Sequence, residues 1–90
     1  MKAVIVHYTG HVQGVGFRFT AKSIARGFDV VGTIKNLADG RVEQRLQGDA
    51  DEVDAFLQAV RESALAGHIQ EESVQPCAAE SGLRGFRILD

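Results

Sequence analysis

Gly10-His11-Val12-Gln13-Gly14-Val15-Gly16-Phe17-Arg18 separates a run that reads as a strand from a run that reads as a helix. Three glycines within seven positions let the backbone turn tightly and approach a ligand closely. The helix beyond them offers unpaired N–H groups and the positive end of its dipole. Arg18 adds a planar fork of donors. Backbone N–H groups, a helix N-terminus and one guanidinium make a small oxyanion site, for which phosphate is the fitting guest. A glycine-rich turn is also commonly no more than a turn, so spacing alone leaves both readings open. The segment is neither of the familiar phosphate loops. It does not lead into Gly-Lys-Ser/Thr, and it lacks the third glycine and the later acidic residue of a dinucleotide fingerprint.

On the N-terminal side, Val4, Val6 and Tyr8 alternate with Ile5, His7 and Thr9, which predicts a strand over residues 3–9. On the C-terminal side, Phe17, Ala21, Ile24, Ala25 and Phe28 have helical spacing, with Gly27 as the stop. Residues 30–36 read as a second strand. Asp39-Gly40 signals a turn, with Gly40 at positive φ, and residues 41–47 read as the return strand of a hairpin. Asp49 and Glu52 are spaced as a capping box for a second helix, whose apolar face is Val53, Phe56, Leu57 and Val60. Asp51, Glu52 and Asp54 are expected in its first turn, as a response to the helix dipole and not as a metal site.

Residues 63–83 are the least readable. Ile69 and Val74 suggest a further strand, Pro76 breaks the pattern after it, and residues 85–89 read as a closing strand. The order is β-α-β-β-α-β, with room for one extra strand. It predicts an α+β, ferredoxin-like α/β sandwich: an antiparallel sheet with two helices on one face.

Ninety residues predict a single domain over residues 1–90. A net charge of −2 with scattered Lys and Arg argues against nucleic acid as a partner. The apolar runs are too short to span a membrane, and residues 1–6 read as strand and not as a signal peptide. Cys77 is the one cysteine, and His7, His11 and His68 have no metal-ligand spacing. No metal and no cofactor are expected, and the expected location is cytoplasmic.

A second segment, Gly32-Thr33-Ile34-Lys35-Asn36-Leu37-Ala38-Asp39-Gly40-Arg41-Val42-Glu43, sets Asn36 at the end of the second strand. Alone it reads as a hairpin in which Asn36 bonds to its own turn. With the first segment it resembles the acylphosphatase family. That family's first signature is matched by Gly10, Val12, Gln13, Gly14, Val15, Phe17 and Arg18, and its second by Gly32, Asn36, Asp39, Gly40, Val42 and Glu43. Ile34 stands where the family has a valine, and Thr33 where it usually has a tryptophan. The likeness is strong from about residue 4 to 60 and weaker beyond.

The resemblance implies a hydrolase, which is expected to act without metal and as a monomer. Its substrate is a small-molecule acyl phosphate, and its products are a carboxylate and inorganic phosphate. Arg18 and Asn36 are then the catalytic residues. Gln13, Gly14, Val15, Gly16, Phe17 and Arg18 form the phosphate-binding loop, with the loop and Arg18 holding the phosphoryl group and Asn36 holding the attacking water. Carboxylate leaves readily, so charge stabilisation and positioning suffice and no strong base is required. No Cys, Ser or His stands at a matching position, which points to direct water attack without a phosphoenzyme. Gln13 is expected to brace the loop, His11 to be a surface histidine and Cys77 a filler residue. Two other readings remain: a non-catalytic ferredoxin-like binding module, and the acylphosphatase-like unit of a larger maturation enzyme.

Overall fold

The computed structural model describes residues 1–90. Five strands and two helices run in the order β1 (Lys2–Gly10), α1 (Phe17–Ala25), β2 (Val30–Asn36), β3 (Val42–Gly48), α2 (Ala50–Arg61), β4 (Ile69–Pro76) and β5 (Phe86–Ile88), with a 3₁₀ turn at Ala64–His68 before β4. The sheet order is β4-β1-β3-β2-β5. Both β1 and β2 pair antiparallel with β3, so they run the same way and end at the same level on either side of it. That shared end carries the loop after β1 and the hairpin after β2.

Amphipathic periodicity builds the core. Val4, Val6 and Tyr8 of β1 are buried on one sheet face. Phe17, Ala21 and Ala25 of α1, and Val53, Phe56, Leu57 and Val60 of α2, are buried along their helices. Aromatic rings tie the layers together: Tyr8 to Phe17 at 5.0 Å, Phe28 to Phe56 at 6.1 Å and Phe56 to Phe86 at 5.8 Å between centroids. Separations of this kind favour offset and edge contacts over flat stacking. Inside the core, Gln44 Nε2 donates to Tyr8 Oη at 3.2 Å.

Several expectations are corrected. The sheet is mixed, because β5 pairs parallel with β2. β4 and β5 occupy opposite edges, so the chain between them crosses the sheet, held where Gln47 exchanges two hydrogen bonds with the backbone of Glu80 at 2.8 and 2.9 Å. The capping box does not form. Asp49 is the N-cap of α2 without a side-chain cap bond, and Glu52 Oε1 accepts from the Asp29 N–H at 2.7 Å. Asp54 lies past the first turn and pairs with Lys2 Nζ at 2.7 Å. Gly27 does not enter the left-handed region. Instead α1 ends on tight bonds from Gly27 N to Ile24 O and from Phe28 N to Ala25 O, while the Phe28 ring packs on Phe56. The return strand begins at Val42, one residue later than predicted. The extra strand exists as β4, an outer strand on which Pro76 is the final residue, where a missing donor costs little.

Candidate active site

At the shared end of β1 and β2 the chain leaves β1 at Gly10, turns through residues 11–16 and enters α1 at Phe17. Gly16 is the N-cap of α1 at φ 75°, and Gly14 is also left-handed at φ 78°. Residues with a Cβ rarely adopt that backbone, so these two glycines are required by the turn. Thr20 N donates to Gly16 O at 3.0 Å as the first bond of the helix. No side chain caps this helix, and no acidic residue stands in its first turn. Its positive end is therefore left free, and no protein group accepts from the N–H groups of Gly14, Val15 or Gly16.

Gly14, Gly16, Phe17, Arg18 and Asn36 line one cavity of about 200 Å³. Residues 18 positions apart in sequence thus meet because β1 and β2 end at the same level of the sheet. Arg18 is the only charged residue of the lining. Its Nη1 donates to the carbonyl oxygen of Leu89 at 3.2 Å, and Leu89 N in turn donates to Ile34 O at 2.8 Å. The guanidinium is thereby anchored to the backbone beside β2, with its other donors left for a ligand. Asn36 is the last residue of β2, and its Oδ1 is buried with no protein donor. An unpartnered buried carbonyl oxygen costs free energy unless a ligand or water completes it. Asn36 therefore does not close its own turn through Oδ1, contrary to the simple hairpin reading.

Gln13 and Val15 lie off the cavity wall. Gln13 Nε2 donates to the carbonyls of Leu37 and Arg41 at 2.8 and 3.0 Å, lashing the loop to the hairpin, while Val15 packs against the core. His11 is exposed, with its ring 6.0 Å from that of His68, and it does not line the cavity. Cys77 lies just past β4, where its N–H donates to Ala3 O at 3.0 Å, away from the site. No three side chains among His, Cys, Asp and Glu gather in a way that could hold a metal ion. No helix is long and apolar enough to cross a membrane. Sequence reading missed the Leu89 brace, which uses a main-chain oxygen and leaves no residue signature. It also missed that Phe19, an exposed aromatic residue off the buried stripe of α1, lines the same cavity.

The acylphosphatase family model matches residues 4–88, both signature segments included. The chain belongs to the acylphosphatase family. Among acylphosphatases, that of Lactobacillus gasseri is 41% identical over 90 residues, covering 99% of each chain. The crystal structure of acylphosphatase from Bacillus subtilis superposes with a TM-score of 0.89 at 30% identity, covering 100% of both chains. HypF of T. kodakarensis contains a similar region, with a TM-score of 0.85 at 27% identity over 100% of this chain and 12% of that one. Acylphosphatases are hydrolases, and five of the residues lining the cavity, Val12, Gly14, Phe17, Arg18 and Asn36, belong to this family's two signatures.

Proposed function

We propose that the protein hydrolyses the carboxyl–phosphate bond of acyl phosphates by direct attack of water on phosphorus. The observation that carries this reading is the buried, unpartnered Asn36 Oδ1 in the same cavity as Arg18. Arg18 and the N–H groups of the loop hold the phosphoryl oxygens as fixed positive dipoles, which cost no reorganisation during reaction. Asn36 Oδ1 accepts one hydrogen of a water and so aims the water's lone pair at phosphorus. The water oxygen bonds to phosphorus as the bond from phosphorus to the acyl oxygen breaks. The bonding pair leaves with the carboxylate, and the water's proton passes to a phosphate oxygen. A carboxylate leaves without help, whereas an alkoxide needs a proton donor that this cavity does not contain. Simple alkyl phosphates are accordingly poor substrates.

The protein acts as a cytoplasmic monomer on a small-molecule substrate, without metal, nucleic acid or membrane. In support of a monomer, the large apolar side chains left exposed are Met1, Phe19 and Val74 only. The likeness to a 12% stretch of HypF favours a second reading, a unit working within a larger enzyme. Turnover by the chain on its own separates the two. The deciding experiment is hydrolysis of benzoyl phosphate in H₂¹⁸O, with and without a chelator. One ¹⁸O atom in the released phosphate, at an unchanged rate, is the expected result. Label in the benzoate means attack at the acyl carbon and overturns the mechanism, and a chelator-sensitive rate overturns its metal independence.

A further inference from the structure

We propose that Phe19 selects the acyl group, as an aromatic wall beside the phosphate cradle that favours planar, apolar acyl phosphates over small ones such as acetyl phosphate. The inference rests on the hydrolase reading above and adds to it the identity of the leaving group.

Phe19 is 71% exposed, while Phe17, Phe56 and Phe86 are buried and Phe28 packs against the core. Each of the other four phenylalanines contacts an aromatic neighbour, and Phe19 contacts none. Leaving a phenyl ring in water forgoes the stabilisation its burial brings, and nothing in the fold uses this one. Its place explains it. Phe19 is the third residue of α1, two positions after the buried Phe17, so it stands about 200° around the helix from the core-facing stripe. Helical side chains lean toward the helix N-terminus, which carries the ring over the turn at residues 14–16.

Phe19 lines the same cavity as Gly14, Gly16, Arg18 and Asn36. The two glycines have open space where a Cβ would stand, so the cradle is bare backbone on that side. The remaining apolar lining residues, Val12 and Phe17, are buried. Phe19 is thus the one exposed apolar side chain of the cavity. Arg18 and Asn36 are its polar side chains, and neither complements the apolar part of an acyl group. A phosphoryl group held in the cradle must extend its acyl group through the open side, where a phenyl ring gains from edge or offset contact with another ring.

The test compares wild type, Phe19→Ala and Phe19→Tyr by kcat/KM on benzoyl phosphate and acetyl phosphate. The same proteins are titrated calorimetrically with inorganic phosphate and with benzylphosphonate, which carries a phenyl ring but no cleavable acyl bond. Phe19→Ala is expected to lose about tenfold in kcat/KM on benzoyl phosphate and about tenfold in benzylphosphonate affinity. Acetyl phosphate turnover and phosphate affinity should stay within about twofold, and Phe19→Tyr should behave as wild type on all four. Equal losses on both substrates, or wild-type benzylphosphonate affinity in Phe19→Ala, overturn the assignment. A wild type that hydrolyses neither substrate, yet loses benzylphosphonate affinity on Phe19→Ala, overturns the hydrolase reading and upholds the ring contact.

Discussion

The loop at residues 11–16 and the hairpin turn at residues 37–41 stand at the same end of the sheet, and both depend on glycines at positive φ. Their hydrogen bonding is opposite. In the hairpin, Leu37 N donates to Arg41 O at 2.8 Å, Gly40 N to Leu37 O at 3.2 Å and Arg41 N to Asp39 Oδ1 at 3.1 Å. The carbonyls of Leu37 and Arg41 also receive Gln13 Nε2. In the loop, the N–H groups of Gly14, Val15 and Gly16 have no protein acceptor. One turn satisfies its polar groups internally, whereas the other holds them open at a helix N-terminus, an arrangement that suits an anion. Glycine content does not distinguish a turn from a binding loop. The destination of each N–H does.

Arg18 is where breaking the contrast has the largest effect. If the open loop is an anion site, its one charge is indispensable. Arg18→Gln is expected to lower turnover on benzoyl phosphate by about 10³. It should weaken competitive inhibition by inorganic phosphate by about 1.5–3 kcal/mol, the worth of a charge-assisted bond. Arg18→Lys should remain severely impaired, because an ammonium cannot hold Leu89 O and a phosphoryl oxygen in one plane. Steady-state kinetics with phosphate as inhibitor check both variants. Near-normal activity in Arg18→Lys means that charge alone suffices.

Asn36 sits where the two turns meet, and it separates binding from chemistry. Asn36→Ala should reduce kcat by about 10², on the order of 3 kcal/mol, while the phosphate inhibition constant stays near wild type. Because Oδ1 has no protein donor, stability should stay within about 1 kcal/mol of wild type. A variant that melts normally but no longer binds phosphate moves Asn36 from the water to the cradle.

A matched pair of glycine substitutions sharpens the comparison. Gly16→Ala and Gly40→Ala each place a Cβ at positive φ, with open space around it, so the cost is conformational in both. Each should lose about 1–2 kcal/mol of stability in denaturant melts. Only Gly16→Ala should also weaken phosphate inhibition, since only that turn carries the free donors. Equal kinetic effects erase the distinction between the two turns.

Much of this was legible because it is periodic. The alternation of Val4, Val6 and Tyr8 and the stripe from Val53 to Val60 appear in the structure on the buried faces predicted for them. The positive φ of Gly40 and the bracing role of Gln13 were also readable from residue type. Gly32 was visible as a motif residue, and its reason is steric: a Cβ there would lie 1.9 Å from the Arg45 carbonyl oxygen. β4 was faint because it is an outer strand. Its Glu72, opposite Tyr8, faces inward only with Arg61 of α2 bound to it at 2.7 Å, which breaks the apolar alternation. The 3₁₀ turn buries Leu65 alone, too little for a period. The Glu52 capping box failed because a tertiary donor, Asp29 N–H, competed for the carboxylate. The parallel pairing of β5 depends on where a loop crosses the sheet, which three residues cannot encode.

The smallest expected effect lies wholly in the closed turn. Asp39 is exposed, and Arg41 holds its carboxyl below the ordinary carboxylate range, first through the backbone N–H and then through the guanidinium at 2.8 Å. The folded carboxyl is therefore more acidic than the unfolded one. Its contribution to stability is complete above the unfolded value, about 4, and is lost as pH falls through the lower folded value. Asp39→Asn should shallow the acid limb of stability against pH, and the difference from wild type should vanish at the lowest pH. The effect should shrink in 1 M salt, because an exposed pair is screened. Melting temperatures of both proteins from pH 7 to pH 2, at low and high salt, check this. Phosphate inhibition at pH 7 should be the same in both, because the hairpin's polar groups serve the hairpin. If Asp39→Asn weakens phosphate inhibition while melting like wild type, the closed turn belongs to the binding site, and the contrast between the two turns is lost.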